Sequence, residues 1–292
     1  MLTTLLSLYA STKLLGTELP NSHIENWNSS SLLEATDVPE HNNQNISPVI
    51  NAKSAIAIDL KNGIMLYEKN SYDHRAIASI TKLMTAVIIL EENKMNEVVT
   101  VSKAASQIEG SKIWLAPGEK ITVESLLYAI LIPSANDAAY ALAEHNSGSV
   151  EAFVAKMNQK AKELGLYDTQ FTNPIGLDEK GNYSSAYDLS ILGRYAYRKN
   201  FVKNAVVIKD MEISSTNGKL THNLKTTNDL LDSYLKVLGL KTGTTNEAGQ
   251  CLMSVIENSR GNDILTVVLD SPSRYNETKI LADWVFRTYN WY

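Results

Sequence analysis

Two apolar stretches flank Asn62-Gly63 in SAIAIDLKNGIMLYEKN, which starts at Ser54. Asn-Gly supplies the positive backbone angles of a tight turn, so this stretch predicts a β-hairpin. The run SITKLMTAVIILEEN, from Ser79, is apolar almost throughout and predicts a core helix rather than a surface one. In TVESLLYAILIPSANDAAYALAEHN, Leu126, Leu127, Ile130 and Leu131 fall at helical spacing until Pro133 interrupts, and a second helix runs from about Asn136 to His145. SVEAFVAKMNQKAKELG is amphipathic and closes on Gly165, and YSSAYDLSILGRYAYRK is a further helix with a Ser/Asp-rich start. After Val206 the pattern turns to strands: SYLKVLGLKTGTT, GQCLMSVIEN and DILTVVLDS, the last two joined around Gly261-Asn262, before a closing helix in YNETKILADWVFRTY.

The order is a hairpin, a block of helices, three strands and a helix. It predicts an α+β protein with an antiparallel sheet flanked by helices and a helical lobe. If the hairpin joins the late strands, residues far apart in sequence meet where the sheet abuts the helices. One domain over 51–292 is expected, with structure beginning near Ala52. Residues 17–50 are polar and rich in Asn and Ser without periodicity, which reads as a disordered linker. The segment 1–16 is mildly apolar but interrupted by Lys13, and is too short for the roughly 20 apolar residues of a membrane span. A degraded or truncated signal segment stays open, although a basic start and a cleavage site are missing.

Composition narrows the function classes. The net charge is −5, from 27 basic and 32 acidic residues spread along the chain, with no basic block, which argues against nucleic-acid binding. Cys251 is the only cysteine, so no intramolecular disulfide can form; its strand-like setting suggests a buried, inert thiol. His23, His41, His74, His145 and His222 show no metal-ligand spacing, so no metal is expected. No cofactor is called for.

Three short motifs carry candidate chemistry. Ser79 and Lys82 stand three residues apart at the start of the apolar helix. Either Ser79 caps the helix with Lys82 on its wet face, or the pair is a nucleophile with its own base. A second Ser-x-x-Lys, Ser233 and Lys236, leads into a strand and is read as chance. Ser134-Ala135-Asn136 falls in the break between two helices, where either polar residue is also a good N-cap. Lys241-Thr242-Gly243-Thr244 ends an apolar strand; it is either an edge lysine entering a turn or a substrate grip, and not a phosphate loop. A serine hydrolase without a nearby histidine needs lysine as base. Lowering a lysine from about 10.4 to about 7–8 takes roughly 3–4 kcal/mol, from burial and a neighbouring cation such as Lys241.

Ser-x-x-Lys, Ser-x-Asn and Lys-Thr-Gly, in this order, resemble the signature of penicillin-binding proteins and serine β-lactamases. The surroundings, among them LAPGEKITVESLLYAILIPSANDAAYALAEHNSG, FVAKMNQKAKELGLYDTQFTNPIGLD and SPSRYNETKILADWVF, resemble the low-molecular-mass D-alanyl-D-alanine carboxypeptidases, peptidase family S11. The likeness runs from about 52 to 288. It implies the β-lactamase/transpeptidase-like fold, Ser79 as acylated nucleophile and Lys82 as general base. It also implies that Ser134 relays a proton and that Asn136 bonds the substrate amide and orients Lys82. Lys241, Thr242 and Thr244 would bind the terminal carboxylate, Gly243 would let the strand approach the substrate, and the N–H groups of Ser79 and Thr244 would form the oxyanion hole.

The implied substrate is a peptidoglycan stem peptide ending in D-Ala-D-Ala, with β-lactams as covalent inhibitors, and the implied location is extracytoplasmic. Two departures are a non-glycine Ala135 and the sequence NPIGL where NPHGL is common, so that Ile175 is expected to alter the cleft rim. No C-terminal membrane anchor is expected, because the chain stops at Tyr292 without the β-rich domain of many members. The alternatives are a β-lactamase and a catalytically silent peptidoglycan- or partner-binding module. The first would add a Glu for deacylation, where this chain has Asp168 in LYDTQFTNP; the second would have no need of the Ser79 and Lys82 pair.

Overall fold

The turn at Asn62-Gly63 closes its hairpin, and the hairpin does join the late strands. In the computed structural model, which describes residues 38–42 and 45–292, the elements run in chain order as follows. Strands β1 (Glu40–His41), β2 (Ser54–Asp59) and β3 (Met65–Lys69) precede helix α1 (Lys82–Glu92). Next come β4 (Val98–Thr100), α2 (Lys103–Gln107) and β5 (Lys120–Thr122). Four longer helices follow, α3 (Val123–Leu131), α4 (Asn136–Ser147), α5 (Val150–Glu163) and α6 (Ala186–Tyr197), then the short α7 (Asn200–Ala205). The chain ends in β6 (Asp210–Ser214), β7 (Thr221–Lys225), β8 (Lys236–Thr245), β9 (Gly249–Glu257), β10 (Asp263–Ser271), α8 (Arg274–Thr288) and β11 (Tyr289–Asn290).

The main sheet has the order β3-β2-β10-β9-β8, antiparallel throughout, so β8 is an edge strand. Both faces of the sheet are covered, which is why its strands read as nearly unbroken apolar runs. Ile56, Ile58, Met253, Leu265 and Val267 face one core together with α1, α4 and α6. Ala55, Ala57, Ile264 and Val268 face a second core with Leu281, Ala282, Trp284 and Val285 of α8. Gly193 allows α6 to lie close on the sheet, since a Cβ there would meet Met253 Sδ at 2.4 Å. Helix α1 is buried on every side from Lys82 to Ile89, as its unbroken apolar sequence requires.

Serine and threonine mark several helix starts. Ser102, Thr122, Ser149 and Ser185 accept backbone N–H bonds as N-caps of α2, α3, α5 and α6. Gly165, at φ +74°, follows the end of α5 as expected. The pairs β4–β5, β6–β7 and β1–β11 lie outside the elements read from sequence. Asn217-Gly218 sits between β6 and β7 and carries the same turn signal as Asn62-Gly63, so that hairpin was within reach of the pattern.

The expected linker over 17–50 needs correction at its end. Glu40 and His41 pair with Asn290 and Tyr289, and the side-chain amides of Asn42 and Asn45 donate to Arg287 O. Buried Glu277 then accepts the N–H groups of Asn51 and Ala52. A polar sequence can be held by backbone and carboxylate hydrogen bonds without contributing apolar side chains, so composition misses it. The expectations for 1–16 and for 17–37 fall outside the described residues. Among the described residues, no helix is long and apolar enough to cross a membrane.

Candidate active site

Ser79 lies in a 3₁₀ turn, Ala78–Thr81, that leads directly into α1. Thr81 takes the N-cap position of α1 without a side-chain bond, and Lys82 has no exposed surface. A cap with a wetted lysine therefore does not describe the pair. Lys82 Nζ stands 2.7 Å from Ser79 Oγ and 2.7 Å from the carbonyl oxygen of Ile175. Burial holds its pKa well below the usual lysine value; the charge of Lys241 pushes the same way and that of Asp137 opposes. A neutral amine here can donate one N–H to Ile175 O and turn its lone pair toward the serine hydroxyl.

The Ile175 carbonyl is a contact that sequence reading missed. Ile175 is buried, so its expected effect on the cleft rim is not what the structure displays; its backbone oxygen orients Lys82. Asn173 shapes this loop by accepting the N–H groups of Ile175 and Gly176, and Thr85 of α1 donates to Pro174 O. Gly176 has φ +83°, and a Cβ there would fall 1.9 Å from Ala78 O. The loop can lie against the Ser79 turn only because that position is glycine. The NPIGL stretch marks this loop in the sequence, but its contribution to Lys82 is a backbone carbonyl, which residue identity does not reveal.

Ser134 occupies the break after α3 with φ +64°, an unusual angle for a non-glycine residue. Neither Ser134 nor Asn136 caps α4: Ala135 is at the N-cap, with no side-chain bond. Ser134 Oγ instead accepts from Lys241 Nζ at 2.8 Å, and the same amine donates to Thr242 O at 2.9 Å. The Asn136 amide donates to Glu109 O at 2.6 Å, and its N–H to Ser111 O at 2.7 Å. The expected link from Asn136 to Lys82 is not among these bonds; Ile175 O supplies the second contact of Lys82.

Lys241 lies on an edge strand yet is buried. Burial, and then the charge of Arg274, lowers it to about 7. At neutral pH it is thus only about half charged, and burial outranks its charge in depressing Lys82. Gly243 lets β8 run beside the Ser79 turn: a Cβ there would lie 3.0 Å from Ser79 N and Ile77 O. The close approach its missing side chain permits is to that backbone. Thr242 Oγ1 sits 2.6 Å from Thr227 Oγ1. Arg274, at the start of α8, donates to Thr244 Oγ1 at 2.6 Å and Gly243 O at 2.9 Å. Its position in SPSRYNETK shows nothing of this, because thirty residues separate it from Thr244 until α8 folds back on the sheet.

The remaining candidates stand apart. Ser233 accepts from Leu235 N, and Lys236 pairs with Glu257 on the surface, so this Ser-x-x-Lys forms no comparable pair. Asp168 faces His74 at 3.0 Å. The carboxylate that acts on Lys82 electrostatically, Asp137, accepts the N–H groups of Ile113 and Leu115. Burial pushes the Cys251 thiol up to about 12, which keeps it protonated and unreactive. Among the described residues no group of His, Cys, Asp or Glu side chains could hold a metal ion.

A family model described as D-alanyl-D-alanine carboxypeptidase matches residues 41–273. The D-alanyl-D-alanine carboxypeptidase DacF of Bacillus subtilis is 42% identical over 246 residues, which cover 82% of this chain and 63% of that protein. The chain thus spans less than two thirds of that relative's length. A D-alanyl-D-alanine carboxypeptidase of Streptomyces sp. K15 is 35% identical over 254 residues, covering 80% of this chain and 87% of its own. Among solved structures, the Streptomyces K15 DD-transpeptidase superposes with a TM-score of 0.78 at 31% identity, over 83% of this chain and all of the other. Penicillin binding protein 5 from Haemophilus influenzae gives 0.76 at 32% identity, over 83% of this chain and 73% of its own. The fold is accordingly the transpeptidase/β-lactamase-like one, an antiparallel sheet with helices on both faces.

Proposed function

The chain belongs to peptidase family S11, the D-alanyl-D-alanine carboxypeptidases, and on that premise we propose that it removes the terminal D-alanine from peptidoglycan stem peptides through a Ser79 acyl-enzyme. The observation that carries this reading is the 2.7 Å approach of a fully buried Lys82 amine to Ser79 Oγ. Burial, as the largest cause, holds that amine's pKa well below the usual lysine value, which favours the neutral form a general base needs.

In this mechanism the peptide lies along β8, an edge strand of the main sheet that can bond an extended chain. Its terminal carboxylate meets Lys241, Thr242 and Thr244, with Arg274 adding a second cation next to Thr244. Ser79 Oγ bonds to the carbonyl carbon of the penultimate D-alanine while its proton passes to Lys82 Nζ. The oxyanion rests between the N–H groups of Ser79 and Thr244. Collapse expels D-alanine, whose nitrogen takes the proton that Lys82 accepted, relayed through the Ser134 hydroxyl. Water then cleaves the ester, with the again neutral Lys82 accepting its proton and returning it to Ser79 Oγ. Asn136, set by Glu109 and Ser111, bonds the substrate amide.

β-Lactams acylate Ser79 in the same way and stay attached, because among the described residues neither Asp168 nor Asp137 is free to drive their hydrolysis. Asp168 is paired with His74, and Asp137 is engaged with backbone N–H groups. Because stem peptides lie outside the cytoplasmic membrane, we place the protein's action there. The test is D-alanine release from an acyl-D-Ala-D-Ala peptide together with mass spectrometry after exposure to benzylpenicillin. Wild type is expected to release D-alanine and hold one penicilloyl group for many minutes. Ser79→Ala should lose both, with turnover down at least about 10³-fold. Equal release by wild type and Ser79→Ala would remove the nucleophile, and rapid turnover of penicillin would favour a β-lactamase.

A further inference from the structure

Trp114 is 76% exposed, and its backbone has φ +64°, a conformation that bulky residues rarely adopt. Such a conformation persists only where its surroundings impose it. Here the cause is visible. The carboxylate of buried Asp137 accepts the N–H groups on both sides of Trp114, from Ile113 at 3.3 Å and Leu115 at 3.0 Å. Ile113 and Leu115 turn into the core at 7% and 3% exposure, and the indole between them is driven outward. His222 of β7 fastens the same loop, bonding Ile113 O and Glu119. A large apolar side chain is thus held in solvent by a rigid, strained support, unlike a side chain left at the surface by chance.

The neighbourhood identifies a ligand chemistry. Lys112 Nζ lies 4.5 Å from the centre of the Trp114 ring. The two border an open depression of about 500 Å³ that Leu220, Thr221 and Asn223 of the β7 hairpin also line. A second depression shares Ala116 and Leu220 with it and adds Lys120 and Lys219. The lining of the pair contains three lysines and one carboxylate, Glu119, which is already bonded to His222 and Ala116 N. On a chain of net charge −5 this is a local positive field around an aromatic face. The C–H bonds of a pyranose ring carry partial positive charge and suit the negative face of an indole, while the lysines suit acidic substituents. The same loop reaches the candidate active site, because Ser111 O accepts the N–H of Asn136 and Glu109 O accepts its amide.

We propose that Trp114 and Lys112 form a subsite for the saccharide of a peptidoglycan strand, so that the preferred substrate is a stem peptide still attached to its glycan. This rests on the D,D-carboxypeptidase reading and narrows its substrate. The sugar ring stacks on Trp114, and the acidic groups of the strand face Lys112, Lys120 and Lys219.

The test compares kcat/KM for D-alanine release from three substrates: an acyl-D-Ala-D-Ala tripeptide, a free pentapeptide, and a disaccharide-linked pentapeptide. Trp114→Ala should leave the first two within about twofold and lower the third about tenfold through KM, with Trp114→Tyr restoring most of it. A loss shared by all three substrates, or confined to both peptides, would overturn the sugar assignment, as would no loss at all. A second measurement does not depend on catalysis: sedimentation of Ser79→Ala protein with purified peptidoglycan sacculi, with and without Trp114→Ala. Weaker binding of the double variant supports the subsite even if no D-alanine is ever released, and equal binding refutes it.

Discussion

Lys82 and Lys241 are two buried amines whose pKa values the fold lowers, and their titration offers a way to test the roles proposed for them. Lys241 falls to about 7 in the folded protein, through burial and then the charge of Arg274, against about 10.4 when unfolded. Between those values the unfolded chain holds the extra proton, so stability rises with pH, and this gain is lost as pH falls back through about 7. Relative to Lys241→Met, wild type should therefore gain about 2 kcal/mol of unfolding free energy from pH 7 to pH 9. Denaturant unfolding at the two pH values measures it; parallel lines for the two proteins would mean that Lys241 stays charged in the fold. Lys82 is shifted in the same direction, so acylation by a β-lactam should slow on the acid side as that amine takes up its proton.

Between elements, the site depends on backbone closeness. The loop carrying Ile175 O, the 3₁₀ turn with Ser79 and edge strand β8 come together where Gly176 and Gly243 leave no side chain between them. Gly176→Ala would force a Cβ to 1.9 Å from Ala78 O at φ +83°. The loop must move, which deprives Lys82 of its carbonyl acceptor and the fold of its packing. We expect a loss of about 2–4 kcal/mol in stability and, at temperatures where the variant is still folded, β-lactam acylation at least tenfold slower. Thermal unfolding and stopped-flow acylation would check both; unchanged acylation would show that Ile175 O is dispensable for orienting Lys82.

Across the described fold, α8 joins the segment from Asn42 to Ala52 to the rest of the molecule. Glu277 accepts the N–H groups of Asn51 and Ala52 and the hydroxyl of Ser271, all far from Ser79 in function. Glu277→Ala leaves the buried Ala52 and Ser271 donors without this acceptor, which should lower stability by about 2–4 kcal/mol. Calorimetry should show a lower unfolding temperature while penicillin acylation at 20–25 °C stays at the wild-type rate. A matching loss of acylation would mean that the N-terminal segment and α8 reach the active site, through Arg274 in the first turn of α8.

What could be read along the chain was whatever repeats locally. The hairpin at Asn62-Gly63, the helices bounded by serine, Pro133 and Gly165, the three late strands and the lysine, serine and glycine motifs each announce themselves within a few residues, because turns, caps and burial patterns act over that distance. Beyond that reach lie the contacts that make the motifs a site. Ile175 O on Lys82, Arg274 on Thr244, Asp137 on Leu115, and Glu277 on Ala52 join residues 93, 30, 22 and 225 positions apart or connect through backbone atoms. A backbone carbonyl has no letter in a sequence, and a pKa depends on burial that only packing creates. The chain therefore states which groups are available for the chemistry, while the fold sets which of them are dry, paired and close enough to react.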